Sequence, residues 1–289
     1  MAASDLVSAL RTAAADRRPS VRRGLWVSFL SAYGLEAALG GPPPGGSAYG
    51  DKAGGDQTAG DQTAGDQTGG DQGGGDQGGG DQGGGDQGGI QWLGLDLQHG
   101  DLDLADVIPL LRVAERAGLA VFPRMASHAA DAIGRVVDAG VQGVIVPGVE
   151  SADQAAALVR AIRLPPAGGR STGAARTALG VTDVGEALLL PMVETAAGLH
   201  HAADIAAVDG VDGIFIGPYD LSMSLGCKPG EEPVMTAIAS VVETVRSTGK
   251  IVGMFTGRPD LLALAPTLDL VAVDTDVSAL RRGLADLFS

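Results

Sequence analysis

Short apolar runs of strand character recur eight times in this chain, and each is followed by an amphipathic stretch rich in alanine. The runs are Leu25–Phe29, Trp92–Asp96, Ala120–Pro123, Gly143–Val146, Leu188–Val193, Gly213–Ile216, Ile251–Met254 and Leu270–Val273. The stretches are Leu35–Leu39, Ala105–Ala117, Ala130–Ala139, Ala152–Ile162, Ala197–Ala207, Val234–Ser247, Leu261–Leu264 and Ser278–Leu287. Continuous apolar strands that alternate with helices belong to parallel sheets covered on both faces. Eight such units predict an α/β protein with a (β/α)8 TIM barrel, a single domain over residues 1–289. An open doubly wound sheet is the competing architecture, but no Gly-x-Gly-x-x-Gly opens a helix after the first strand.

One block breaks the rhythm. Residues 41–90 are a low-complexity insert, in which Asp-Gln-Thr-Ala-Gly drifts into Asp-Gln-Gly-Gly-Gly from Asp56 to Gly89. No large apolar side chain stands between Tyr49 and Ile90. Such a segment buries too little to offset the entropy of ordering glycine-rich backbone, so a flexible insert is expected. It falls between the first helical stretch and the second strand, in an α-to-β loop on the face of a barrel opposite the usual active site. The known calcium-binding repeat has nine residues and an apolar stacking position, and this block has neither.

Composition narrows the functional classes. The formal net charge is −15, which disfavours nucleic acid and anionic membranes as partners. No apolar run reaches the length of a membrane span, and the first residues lack a signal-peptide pattern. A lone cysteine, Cys227, excludes a disulfide framework and fits the cytoplasm.

In a barrel, chemistry is read where strands end. The second strand leads into Asp96-Leu-Gln98-His99-Gly, the third into Arg124, the fifth into Glu194 and the sixth into Gly217-Pro218-Tyr219-Asp220. Glu194 and Asp220 lie about one β/α unit apart, so both face one cavity. Two carboxylates with open positions suit a hard divalent cation, although Asp and Glu also cap helices. His99, in a polar loop after a buried strand, suits a general base or a backbone contact. Arg124 after an apolar strand lines a cavity or pairs with Asp96 or Glu194.

These segments carry a resemblance. Trp92-Leu-Gly-Leu-Asp96-Leu-Gln-His99-Gly, Pro123-Arg124, Val137-Asp138-Ala-Gly140, Arg163-Leu-Pro165-Pro166-Ala-Gly168, Val193-Glu194-Thr195 and Gly210-Val-Asp-Gly-Ile-Phe-Ile-Gly-Pro-Tyr-Asp220-Leu-Ser resemble the HpcH/HpaI aldolase/citrate lyase family. The resemblance implies a class II aldolase that cleaves a 4-hydroxy-2-ketoacid to pyruvate and an aldehyde through a metal-bound pyruvate enolate. It implies that Glu194 and Asp220 hold Mg²⁺ or Mn²⁺, with Co²⁺ also admitted. By the same resemblance His99 is the base, Asp138 partners its other ring nitrogen, and Arg124 stabilises the enolate oxygen. Gly217, Pro218, Tyr219, Asp220 and Met192 then contact substrate. Met192 stands where many members place glutamine, and Gln98 where the family has an acid. The Arg-Gly segment after Pro166, Gly169 to Arg176, corresponds to a region that shapes the pocket. The resemblance further implies a homo-oligomer, a hexamer built from dimers through exchange of the C-terminal helix. Leu280, Leu284, Leu287 and Phe288 form an apolar stripe on that helix.

Two other readings stand beside the aldolase. One is a lyase of the citrate-lyase-β type acting on a coenzyme A thioester, although no basic cluster for a nucleotide phosphate is evident. The other is a catalytically weakened relative with a binding role. A Schiff-base aldolase needs a buried lysine at a strand end, and Lys52, Lys228 and Lys250 all lie elsewhere.

Overall fold

The computed structural model describes residues 3–18, 20–39, 89–173 and 186–288. The expected insert 41–90 lies almost wholly outside them. The elements run α1 (Ala3–Ala15), β1 (Arg22–Val27), α2 (Ala32–Ala38), β2 (Trp92–Leu95), α3 (Val107–Arg116), β3 (Ala120–Val121), α4 (Ala130–Ala139), β4 (Gly143–Val146) and α5 (Ala152–Ile162). They continue with β5 (Leu188–Val193), α6 (Ala196–His200), α7 (Ala202–Ala207), β6 (Gly213–Ile216), α8 (Pro218–Ser224), α9 (Glu232–Ser247), β7 (Ile251–Phe255), α10 (Pro259–Leu262), β8 (Leu270–Thr275) and α11 (Asp276–Asp286).

The eight strands are parallel and follow the order β3-β2-β1-β8-β7-β6-β5-β4. The first and last strands pair, as a barrel requires. Its remaining seam is short. Arg124 bridges to Asp96 on one side and to Ile145 on the other. The N–H of Met125 bonds to the Ile145 carbonyl at 2.9 Å, and the N–H of Ile145 bonds to that of Pro123 at 2.9 Å. Regular β3 covers only two residues of the expected Ala120–Pro123, since Pro123 has no N–H to donate.

Alternation along the strands divides the core. Leu188, Leu190 and Met192 of β5 point into the barrel, while Leu189 and Val193 face the helices. The barrel interior spends the chain's few aromatics. Trp26, Trp92, Phe122 and Phe215 pack there edge to face or tilted, with centroids 5.7 to 6.4 Å apart. Glycines on neighbouring strands make room for them. A Cβ on Gly24 would lie 2.2 Å from Trp92, and one on Gly94 would lie 2.6 Å from Trp26.

Other parts of the fold also differ from the expectation. Helix α1 was not among the expected stretches. Its Leu6, Leu10 and Ala14 join the interior cluster and close the end of the barrel where strands begin. Arg11 fixes it there through Asp212, beside the start of β6, and the Glu186 carbonyl. The expected helix Ala197–Ala207 is two short helices that meet at His201.

Candidate active site

At the opposite end of the barrel, the strand ends surround a cavity of about 250 Å³. Trp26 and Ser28 come from the end of β1, Asp96 and His99 from β2, and Arg124 from the β3 seam. Met192 and Glu194 come from β5, Gly217 to Asp220 from β6, Phe255 from β7 and Thr275 from β8. The sequence thus brings His99, Arg124, Met192, Glu194, Gly217, Pro218, Tyr219 and Asp220 to one place.

Arg124 is both a cavity residue and an ion pair. Its Nε and Nη2 donate to the two carboxylate oxygens of Asp96 at 3.0 and 2.8 Å. Its guanidinium carbon also stands 5.2 Å from the centre of the Trp26 ring. Asp96 further accepts the N–H groups of Gln98 and His99, which sets the loop that carries the imidazole. Burial raises the Asp96 pKa, but Arg124 and these two N–H groups outweigh burial and hold it below the ordinary carboxylate range. The His99 side chain is exposed, and no hydrogen bond to its ring occurs among the described residues.

Glu194 is 7% exposed. One of its oxygens, Oε1, accepts the N–H of Gly148 at 2.7 Å. That geometry excludes the capping alternative for Glu194, because Thr195 supplies the cap of α6. Burial pushes the Glu194 carboxyl up, the Gly148 N–H opposes this, the Asp220 charge pushes it up further, and Arg124 opposes again; the net direction is up. A second oxygen, Oε2, lies where only a glycine leaves space: a Cβ on Gly217 would be 2.7 Å from it. Asp220 sits in the first turn of α8, on the cavity wall. Two neighbouring carboxylates on the wall of one cavity match the donor chemistry of a divalent cation. Among the described residues no cluster of three or more His, Cys, Asp or Glu adds to them.

Asp138 is not part of this cavity. It lies in the last turn of α4, and helices run back toward the ends where strands begin. There it forms an ion pair with Arg170 and lines a separate groove with Arg135 and Arg160. The expected contact with the His99 ring is therefore not made within the chain. The same topology corrects the Arg-Gly segment after Pro166. Gly169, Arg170 and Ser171 line that groove rather than the cavity, and residues 174–176 lie outside the described ones. Buried Arg163 of the Pro-Pro motif is structural, bonding the carbonyls of Ala187 and Gly210 and the Asp212 carboxylate.

Lys250 and Lys228 lie as expected. Lys250 precedes β7 at the closed end and donates to the Val208 carbonyl, and Lys228 lies in the loop after α8. Lys52 is outside the described residues. Asp96, Trp26, Ser28, Phe255 and Thr275 were missed as site residues. Asp96 had a signal, a buried acid closing an apolar strand, but it was read only as a partner for Arg124.

The signature described as HpcH/HpaI aldolase/citrate lyase matches residues 87–263. The chain belongs to the HpcH/HpaI aldolase/citrate lyase family. It is a lyase. It is 39% identical over 210 residues to a hydroxypyruvate/pyruvate aldolase of Pseudomonas aeruginosa, covering 68% of this chain and 78% of that protein. It is 37% identical over 204 residues to a 4-hydroxy-2-oxovalerate aldolase of Rhodococcus jostii, covering 65% of this chain and 78% of that protein. The crystal structure of a family member from Burkholderia cenocepacia superposes with a TM-score of 0.70 at 26% identity, covering 97% of this chain and 99% of that one. Among the described residues no helix is long and apolar enough to cross a membrane.

Proposed function

We propose that the protein is a class II pyruvate aldolase that cleaves a 4-hydroxy-2-ketoacid to pyruvate and an aldehyde. The observation that carries this is one small cavity holding two adjacent carboxylates, an arginine and a free imidazole at strand ends. Glu194 and Asp220 would hold a divalent cation, Mg²⁺ or Mn²⁺, whose Lewis acidity favours negative charge on the substrate's keto oxygen.

The protein's own groups supply the rest. His99 takes the proton of the C4 hydroxyl, directly or through water, as the C3–C4 bond breaks and its electron pair moves toward the ketone. Arg124 places positive charge where the enolate oxygen develops. Its pairing with Asp96 and stacking near Trp26 fix that charge before substrate arrives. The first turn of α8, at Tyr219 and Asp220, faces the substrate carboxylate, and Gly217 and Pro218 set its approach. Met192 gives the cavity an apolar wall. Burial raises the Tyr219 pKa, so its hydroxyl stays protonated at the cavity mouth.

A cavity of about 250 Å³ suits a small ketoacid and leaves no enclosed space for coenzyme A. The exposed apolar stripe Leu280, Leu284, Leu287 and Phe288 supports a homo-oligomer formed through α11. The test of function is pyruvate release from 4-hydroxy-2-ketoacids, coupled to lactate dehydrogenase, with and without EDTA. Release that EDTA abolishes and Mg²⁺ or Mn²⁺ restores is expected. Full activity in EDTA, or a borohydride-trapped pyruvyl-lysine adduct, would overturn the metal mechanism.

A further inference from the structure

The first residue of α11 has a buried carboxylate with an unusual set of partners. Asp276 is 3% exposed. Its Oδ2 accepts three successive backbone N–H groups, those of Ser28, Phe29 and Leu30, each at 3.0 Å. Its Oδ1 accepts the N–H of Val277 at 2.9 Å. One carboxylate therefore fixes the whole turn that leaves β1. Charge-assisted bonds of this kind hold a backbone more firmly than neutral ones.

That turn touches the loop of the imidazole. The Ser28 carbonyl accepts the N–H of Asp101 at 2.8 Å. Gly100 lies against the same carbonyl so closely that a Cβ there would be 2.3 Å from it. His99 is the next residue back. Its other anchor is Asp96, which receives its N–H at 3.2 Å. The ring itself has no hydrogen-bond partner among the described residues, so its placement depends on how the backbone on both sides is held.

We propose that Asp276 is a positioning residue for His99, acting through the backbone of Ser28 on the Gly100–Asp101 segment. The catalytic part of this rests on His99 being the base of the reaction above. Misplacing a base by an ångström can cost on the order of 10²-fold in rate.

The test uses the full chain with D276N and G100A. In D276N either side-chain orientation sets an NH2 against a backbone N–H, and in G100A the new Cβ pushes on the Ser28 carbonyl from the other side. Both variants are expected to lose about 10²-fold in kcat, with KM for the ketoacid and the Mn²⁺ affinity near those of the unaltered protein. In an H99A background neither is expected to lower kcat further. Hydrogen exchange of the 97–102 segment is expected to quicken in both, with β5 and β6 unchanged. Losses that multiply with H99A, or a parallel loss of Mn²⁺ affinity, would overturn the proposal by showing a general structural role. Unchanged exchange at 97–102 would overturn it even if the chain had another activity. Absence of pyruvate release from the unaltered protein would instead refute the aldolase reading. G100A keeps the test in force if D276N fails to fold.

Discussion

Arg124 grips both carboxylate oxygens of Asp96 while its own backbone joins β3 to β4 across the last seam of the barrel. Closure of the fold and placement of the charge proposed to stabilise the enolate thus share one residue. The pair is nearly dry, with side-chain exposures of 12% for Arg124 and 5% for Asp96.

The pair makes a prediction about stability and pH. Asp96→Asn leaves a buried guanidinium without its counter-charge, a change that costs ~3 kcal/mol at neutral pH. The Asp96 pKa is lowered in the folded protein, so its contribution is present above the ordinary aspartate range. It is lost as pH falls through the folded value. Denaturant melts of both proteins are expected to differ most near pH 7 and to converge in strong acid. An equal difference across that range would refute this electrostatic account.

Gly217→Ala tests the cradle around Glu194. The glycine has φ −99, which any residue adopts, so backbone strain is not the issue. The new Cβ meets Glu194 Oε2 at 2.7 Å and Glu194 Cβ at 2.8 Å, on the side chain expected to hold metal. Displaced supports around metal ligands typically cost 10- to 100-fold in affinity. Mn²⁺ titration by calorimetry is expected to show a loss of about that size with a retained fold. Unchanged affinity would mean that Glu194 does not ligate through this oxygen.

His99→Ala is expected to lower kcat by about 10²- to 10⁴-fold while Mn²⁺ affinity is retained. Steady-state kinetics beside the metal titration separate the two. Lost metal binding would make His99 a ligand rather than a base.

Much of this was legible in the chain because parallel strands buried on both faces leave long apolar runs. The expected Gly143–Val146, Leu188–Val193 and Gly213–Ile216 match β4, β5 and β6 residue for residue. Glu194 and Asp220 could be placed because strand ends fall in phase with the polar residues. Helix α1 was hidden, since nothing in its short Ala-rich pattern says that Leu6 and Leu10 will plug a barrel. Asp138 was assigned to the His99 ring by family likeness alone, whereas the expected helix Ala130–Ala139 already sets it in a last turn, at the end of the barrel where strands begin. Asp276 gave no signal at all, since its role comes from three amides nearly 250 residues away in sequence.

The C-terminal helix predicts association. Leu280 is 51% exposed, Leu284 48%, Leu287 74% and Phe288 88%. Two large apolar side chains on one short helix and two more in the turn that follows it are costly to leave in water. Light scattering is expected to give a multiple of 28.9 kDa, and L284E/L287E to reduce it to that mass. A 28.9 kDa particle from the unaltered chain would refute the oligomer.

The last prediction concerns the low-complexity block. Deletion of Asp51–Gly89 is expected to leave fold, metal affinity and kcat nearly unchanged. The sequence there contributes no large apolar side chain, so its removal sacrifices little burial. Its attachment points also favour tolerance. α2 ends at Ala38, and the chain returns at Gln91, whose N–H bonds the Arg23 carbonyl at the start of β1. The return is therefore at the end of the barrel where strands begin, and the cavity is at the other end. Loop-closure entropy changes only logarithmically with length, so shortening the connection shifts stability by about 1 kcal/mol or less. The rival account is that the repeated aspartates bind calcium and order the segment. Limited proteolysis of the full chain with and without calcium decides between them, read together with kinetics of the deletion variant. Calcium-dependent protection of residues 51–89 accompanied by lost activity on deletion would show that the block takes part in function. Calcium-independent cleavage and an unaltered kcat would leave it a passive expansion of one α-to-β loop.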